Sequence, residues 1–563
     1  MHARDPGFEN LNRIGVVASA AALGGLLLVL PFEPRTPLGG VFGLRVSVLE
    51  ALAALAAAVL VAAGARDWRR IAPRAPWPLV LLGLFAACHL ASALLADEYR
   101  GESLRFALRM AALAVFAGVV ALAPRPARRA GLAGLALAGG MVALLALAEG
   151  AGLRAVDPFL DLFREMRFTV GGAPRVTGGT AYPTLAAVWI GAGLLALAGH
   201  ALSAAHPLPL TVAGALLATP ALLDTYSRGA MAAAGGGLLV LSLAGARGFG
   251  PRAMWAMLAA LAVLAGGAAL QAARREVFRL RFTAESARQW YGAAYEPAER
   301  ALSLGPGERR ETVVRVENTG KLPWPAERGF ALSYHWFQPG RSVLQDGGRT
   351  PLPGTLGEGQ AALVRAEVVA PARSGCYLLV WDMVQEHTTW FSGQGVAPAS
   401  VPVSVGAPAP DCGALMRPMS PVAWQPTRSE LWGLAVRMWR DRPWTGVGPD
   451  NFRRLYGPYA GREFWDNRVT ANNLYLETAA TTGLPGLLAL CAALAATAAL
   501  LARELGGGGR AEAAVLLALL TAFVVHGAVD YVLGFTGPYL LLAFIVGSAC
   551  ALRAESRRPR GRA

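Results

Sequence analysis

Three stretches of this sequence gather side chains able to do chemistry at the ends of long apolar runs. The first is Arg175 in PRVTGGTAYPT, and the second is Asp224, Tyr226, Ser227 and Arg228 in LLDTYSRGAMAAA. In the second, the turn between two apolar runs is too short to carry the Arg228 guanidinium far from the helices beside it. The third is residues 444–486, WTGVGPDNFRRLYGPYAGREFWDNRVTANNLYLETAATTGLPG, which holds Asp450, Asn451, Arg453, Arg454, Asn472, Asn473 and Glu477. It starts as a loop punctuated by Gly and Pro and is expected to run without a break into an apolar helix. An ionisable group near membrane depth is costly and marks a functional candidate. Two or three guanidiniums converging on one cavity suit a diphosphate, because the planar fork pairs bidentately with phosphate oxygens. Such a site would stabilise a diphosphate as it leaves. For any one of these arginines the plainer assignment is interfacial anchoring, or an ion pair with Asp224 or Asp450.

The elements that must position these groups are read from composition. The 563 residues are 54% hydrophobic and 16% charged, with a mean hydropathy of +0.41, which places the chain among polytopic membrane proteins. A span needs about 20 mostly apolar residues, and twelve runs qualify. They lie near 14–32, 46–64, 77–95, 105–123, 130–149, 180–199, 207–224, 229–246, 253–272, 474–501, 512–531 and 534–552. The run from Ile14 reads as a retained first span, not a cleaved signal peptide. The formal charge of +15 is almost all arginine, Lys321 being the only lysine. Arg66, Arg69, Arg70 and Arg74, then Arg125, Arg128 and Arg129, then Arg247 and Arg252, fall in alternate loops, and the tail RAESRRPRGRA is basic too. These loops and both termini are expected to be cytoplasmic. Orientation therefore accounts for the charge, and a nucleic-acid partner is not implied.

The chain divides into 1–273 with nine spans, an insert at 274–428, a surface segment at 429–473, three further spans at 474–553 and a basic tail at 554–563. In the insert, TVVRVEN, FALSYHWF, AALVRAEVV and CYLLVWDMV alternate and are separated by GPGE, PLPG and PARSG, as in an all-β, Ig-like sandwich over about 300–405. Val313, Val314, Val316, Trp324, Tyr334, Trp336, Tyr377, Leu379 and Trp381 would fill its core; a carbohydrate platform is the alternative use of those rings. His335 and His387 belong to the sandwich. In SELWGLAVRMW, Leu431, Leu434, Ala435 and Met438 recur at helical spacing, so this amphipathic helix lies on the membrane or docks on neighbouring helices. No Cys or His cluster has zinc spacing. A Cys376–Cys412 disulfide would require an extracytoplasmic insert.

SRGA after the seventh run, GVGPDNF before the last runs, and NNLYLETAATTGLPG at the tenth resemble the signature of the O-antigen ligase and O-antigen polymerase superfamily. The resemblance covers roughly 12–274 and 426–553. It implies a GT-C-like membrane protein of about 12 transmembrane helices whose large outer loop lies between helices 9 and 10. It further implies a glycosyltransferase of the bacterial inner membrane, inverting and independent of metal or other cofactor. Its donor would be an undecaprenyl-diphosphate-linked glycan, its acceptor lipid A-core or another glycan, and its surroundings membrane lipids. By that resemblance Arg175 and Arg228 would grip the diphosphate, helped by Arg453 or Arg454. Asn473, Tyr475, Leu476, Gly483 and Gly486 follow the family motif in register. Where the ligases usually have a histidine this chain has Asn472, which cannot act as a general base. Asp450, Asp466 or Glu477 would then take the acceptor proton, or His526 and Asp530 would contribute, or positioning and leaving-group stabilisation would suffice.

Ligation onto lipid A-core ranks first, with polymerisation or exopolysaccharide transfer second. A transporter of lipid-linked sugars is the rival outside enzymology, although internal repeats and broken helices are its usual marks. A catalytically dead scaffold is a third reading, motivated by Asn472.

Overall fold

The computed structural model of the protein describes residues 6–41, 44–64, 76–283, 287–338, 341–344, 346–406, 412, 426–462 and 465–557. Arg66, Arg69, Arg70 and Arg74, and the tail beyond Arg557, on which part of the expected orientation rests, lie outside the described residues.

Twelve apolar helices follow the expected runs: α1 (Pro6–Val29), α2 (Val48–Gly64), α3 (Trp77–Leu95), α4 (Arg100–Val120), α5 (Arg125–Gly150), α6 (Pro183–Ala201), α7 (Pro207–Asp224), α8 (Arg228–Gly248), α9 (Pro251–Arg274), α10 (Leu474–Glu504), α11 (Arg510–Gly527) and α12 (Thr536–Ser556). Among the described residues ten of these are long and apolar enough to cross a membrane; the apolar parts of α1 and α2, Arg13–Val29 and Val48–Ala63, are shorter. With no hydrophobic drive between helices in lipid, small residues let backbones touch. A Cβ added at Gly139 of α5 would lie 2.6 Å from the Gly193 Cα of α6. At the end of the bundle where α5 begins, the fully buried Arg128 donates to Glu512 of α11 at 2.6 Å and to Glu555 of α12 at 2.9 Å. One of the arginines assigned to orientation is thus consumed in holding three helices together.

The surface loop leads directly into α10 at Leu474, but α10 is itself broken. At Gly483 α10 leaves helical geometry with φ 69°, two residues before Pro485. Proline supplies no amide hydrogen and forbids a regular turn, so carbonyls above the break need other donors. The GVG loop supplies two, Val447 N to Ala480 O at 2.9 Å and Gly448 N to Thr481 O at 3.1 Å. Ser92 Oγ of α3 adds a third at 2.7 Å to Thr481 O, and Leu484 N turns to Pro443 O at 2.8 Å. The upper part of α10 and the loop before it are therefore one interlocked unit.

The insert contains strands Ala293–Pro297, Leu302–Leu304, Arg309–Asn318, Phe330–Gln338, Arg341–Leu344, Thr350–Pro351, Ala361–Val369, Gly375–Gln385, Thr389–Trp390 and Ala399–Val405. Ala361–Val369, Arg309–Asn318 and Ala293–Pro297 form a three-stranded sheet, and the other seven form a second sheet. Every pairing is antiparallel except that of Ala399–Val405 with Leu302–Leu304. Val314 and Val316 meet Trp324, Tyr334, Trp336, Tyr377, Leu379 and Trp381 in one buried cluster. Val313 is the exception: it pairs with Arg365, one residue out of phase, and the pleat turns it to the other face. Cys376 and Cys412 are disulfide-bonded.

The helix Arg428–Asp441 opens on a capping box, Thr427 with Glu430. Its apolar residues Leu431, Leu434, Ala435 and Met438 are buried with Phe452, Tyr456 and Ala480. The amphipathic face is therefore covered by protein.

Candidate functional site

Arg175 ends a two-stranded hairpin, Phe168–Val170 with Ala173–Arg175, in which Phe168 pairs with Arg175. The turn is Gly171–Gly172 with φ 54° and 79°, the left-handed pair that a tight two-residue hairpin demands. Backbone contacts hold the segment: Val176 N reaches Asp224 O at 3.2 Å, while Thr177 N and Gly178 N donate to Glu149 at 2.6 and 3.0 Å. Glu149 is in turn ion-paired with buried Arg164. On its far side the hairpin tip meets the insert. A Cβ at Gly171 would strike the Trp290 ring, one at Gly172 would strike Gln385, and Val170 packs on the sandwich core. The insert thus buttresses the strand that carries Arg175.

Arg175 Nε donates to Thr225 O at 2.9 Å, tying the hairpin to the turn before α8. Tyr226 in that turn is buried, has φ 55°, and packs on Phe278. Asp224, one of the partners weighed for Arg228, instead accepts from Arg275 and Gln271, each at 2.9 Å. Two arginines not singled out in the sequence join here. Arg281 is pushed down to about 9, first by burial and then by the positive charges of Arg175, Arg228 and Arg428. Its Nε is buried without a hydrogen-bond partner. Arg175 is lowered to about 10 by burial, against the attraction of Asp530 and with the repulsion of Arg428. Guanidiniums from four separate segments thus share one electrostatic neighbourhood.

Asp530 belongs to that neighbourhood and also lines a cavity of about 1050 Å³. Burial works to raise its carboxyl, yet His526, 3.6 Å away, the Tyr531 amide at 2.7 Å and Arg428 hold it below the usual range. Asp450, Arg453 and Asn472 line the same cavity, as does Phe168 across the hairpin from Arg175. Arg453 grips Asp450 bidentately at 2.6 and 2.7 Å, which keeps its own proton affinity above the ordinary arginine value. Arg454 lies 3.2 Å from Asp450 and 3.5 Å from Glu102. The Arg453/Arg454 pair sits with its own carboxylates, and neither arginine is among the charges that shift Arg175 or Arg281.

Asn473 caps α10: its Oδ1 accepts from Tyr475 N and Leu476 N, both at 3.0 Å, and its Nδ2 reaches Ala528 O at 2.9 Å. Glu477 is buried one turn below, accepting from Ala471 N at 2.6 Å. Neither is among the groups lining the cavity, whereas Asn472 is, held at φ 49°. Asp450, at φ 64°, is strained in the same way; residues in this region persist only where their surroundings over-determine them, as at functional sites. Among the described residues no group of three or more His, Cys, Asp or Glu could hold a metal ion.

Arg428 and Arg281 carried a signal only in hindsight. Arg428 is the first residue after a capping Thr427, and Arg281 follows the short helix Glu276–Leu280 that leads away from α9.

Apolar membrane helices, a β-rich insert and a cationic group beside a polar cavity define a polytopic membrane protein with a surface site. More particularly, residues 378–491 match the O-antigen ligase family, from the Gly375–Gln385 strand through the surface segment into α10. The matched residues cover about a fifth of the chain, and the likeness is to a family described as O-antigen ligase. No match was found among curated proteins.

Proposed function

We propose that the protein transfers a glycan from undecaprenyl diphosphate to an acceptor hydroxyl at the periplasmic face of the bacterial inner membrane. The observation that carries this reading is that Arg175, Arg228 and Arg428 all act electrostatically on the buried Arg281, while Arg175 and Arg428 also act on Asp530, which lines the cavity. An acceptor oxygen attacks the anomeric carbon as the bond from that carbon to the diphosphate oxygen breaks. The electron pair leaves on the diphosphate, where pre-placed guanidiniums stabilise it. Asp530 accepts the acceptor's proton, the part a family histidine would play where Asn472 stands. Arg453 and Asp450 shape the acceptor wall. The closed disulfide supports an oxidising compartment for the insert, and the family resemblance supports inversion and ligation onto lipid A-core. The break in α10 does not favour transport, because its carbonyls are satisfied by the GVG loop and Ser92 and offer no open ion site.

The test is purified protein supplied with undecaprenyl-diphosphate glycan and candidate acceptors. Wild type should release undecaprenyl diphosphate and Arg228→Ala should not, with Asn472→Ala compared alongside. Intact donor with every acceptor would sink the reading.

A further inference from the structure

The cavity beside the arginine group is large for a small-molecule site, about 1050 Å³ against a usual ~300–1,000 Å³, so it has room for several sugar residues. Its charges are unlike those of the arginine group. All four of its guanidiniums are already taken: Arg105 by Glu102 at 2.8 Å, Arg109 by Glu50 at 3.1 Å, and Arg468 by Asp466 at 2.9 Å. Arg453 is held by Asp450 in the bidentate pair described above. Glu165 and Asp530 add carboxylates, so six acidic and four basic side chains face the space, a formal excess of two negative charges. Between them stand ring faces, Tyr182 and Phe535 with centroids 5.7 Å apart among them.

This wall is built for hydroxyls. Paired carboxylates keep lone pairs to accept from O–H groups, and paired guanidiniums keep N–H groups to donate. Aromatic faces cover the apolar C–H surface of a sugar ring. A phosphate or carboxylate brought here would have to displace an existing partner from each arginine and would meet a wall with more carboxylates than guanidiniums. We propose that this cavity is the acceptor subsite and that it takes the uncharged end of an oligosaccharide, excluding acceptor ends whose sugars carry phosphate or carboxylate. The assignment rests on the transfer reading only for the word acceptor; the preference for neutral glycan follows from the wall itself.

The experiment measures binding, which needs no turnover. The full-length protein in lipid nanodiscs is titrated with neutral gluco-, manno- and rhamno-oligosaccharides and with their phosphate monoesters. A member of the neutral panel should bind, and its phosphate ester should bind about tenfold or more weaker, the scale of one uncompensated like-charge contact. Glu165→Gln combined with Asp466→Asn, both at exposed side chains, removes the charge excess and frees Arg468, and should narrow that gap. Equal or tighter binding of the esters, a gap untouched by the double variant, or no binding by any neutral member would overturn the proposal. Neutral preference without any donor cleavage would sink the transferase reading and leave the cavity assignment standing. Donor cleavage that depends on Arg228 without neutral preference would do the reverse.

Discussion

Replacing Arg281 by glutamine should make the empty protein more stable while making it a poorer transferase. Burial and three neighbouring cations bring Arg281 from 12.5 to about 9. At ~1.4 kcal/mol for each tenfold in proton affinity, the folded state disfavours its charged form by on the order of 4–5 kcal/mol. Arg281 is not wholly shielded from water, so screening reduces the recoverable part to about 1–2 kcal/mol. The sign follows from a base whose folded value lies below its unfolded one: the destabilisation is present at pH 7 and is lifted as pH rises past about 9. Thermal unfolding of wild type and Arg281→Gln, followed at pH 7 and pH 10 without substrate, should give the variant an advantage at pH 7 that shrinks at pH 10. Inorganic pyrophosphate should stabilise wild type more than the variant, because an anion relieves what the substitution has already removed. A variant less stable than wild type at pH 7, or an advantage of the same size at pH 10, would refute the claim that these guanidiniums repel one another in an empty anion site.

Other outcomes follow from the same geometry. Arg228→Ala should lower undecaprenyl diphosphate release by about 10²–10³-fold, the usual loss when one charge-stabilising donor is removed. Asp530→Asn should lower transfer by about 10²–10⁴-fold, and a variant that keeps full transfer would remove Asp530 from proton transfer. Trp290→Ala withdraws the ring beneath Gly171 and should reduce kcat for donor cleavage even under conditions where circular dichroism shows the sandwich still folded. Reducing that bond, which closes a separation of 36 residues, should loosen the insert by about 4 kcal/mol on the chain-entropy account. Hydrogen exchange across 293–405 would measure it.

The spans were legible because a bilayer imposes one length and one polarity on every crossing segment, and α3 through α12 keep to the runs that predict them. The insert was legible for a similar reason: alternation in TVVRVEN and CYLLVWDMV has the period of a half-buried strand. Arg175 and Arg228 stood out because apolar sequence surrounds them. What stayed hidden depends on contacts between distant segments. Arg281 and Arg428 look like ordinary surface arginines until the chain brings them within electrostatic reach of Arg175. Asn473 sits in a motif that suggests chemistry, yet in the fold it caps a helix. The break at Gly483 had a local sign, a glycine two residues before a proline, which the strength of the surrounding apolar run obscured. The hairpin at Phe168–Arg175 is so short, three residues a side, that periodicity has nothing to measure.

The contact between the Gly171–Gly172 tip and the Trp290 side of the insert limits how this architecture can be recombined. A protein engineer who excised 287–405 to obtain a minimal enzyme would uncover Val170 and Val277, both packed on the sandwich, and leave the Arg175 strand supported from one side only. A graft from another source would need the matching tip transplanted with it. A change on either side of this contact therefore calls for a matching change on the other, so the insert and the Arg175 strand behave as one part.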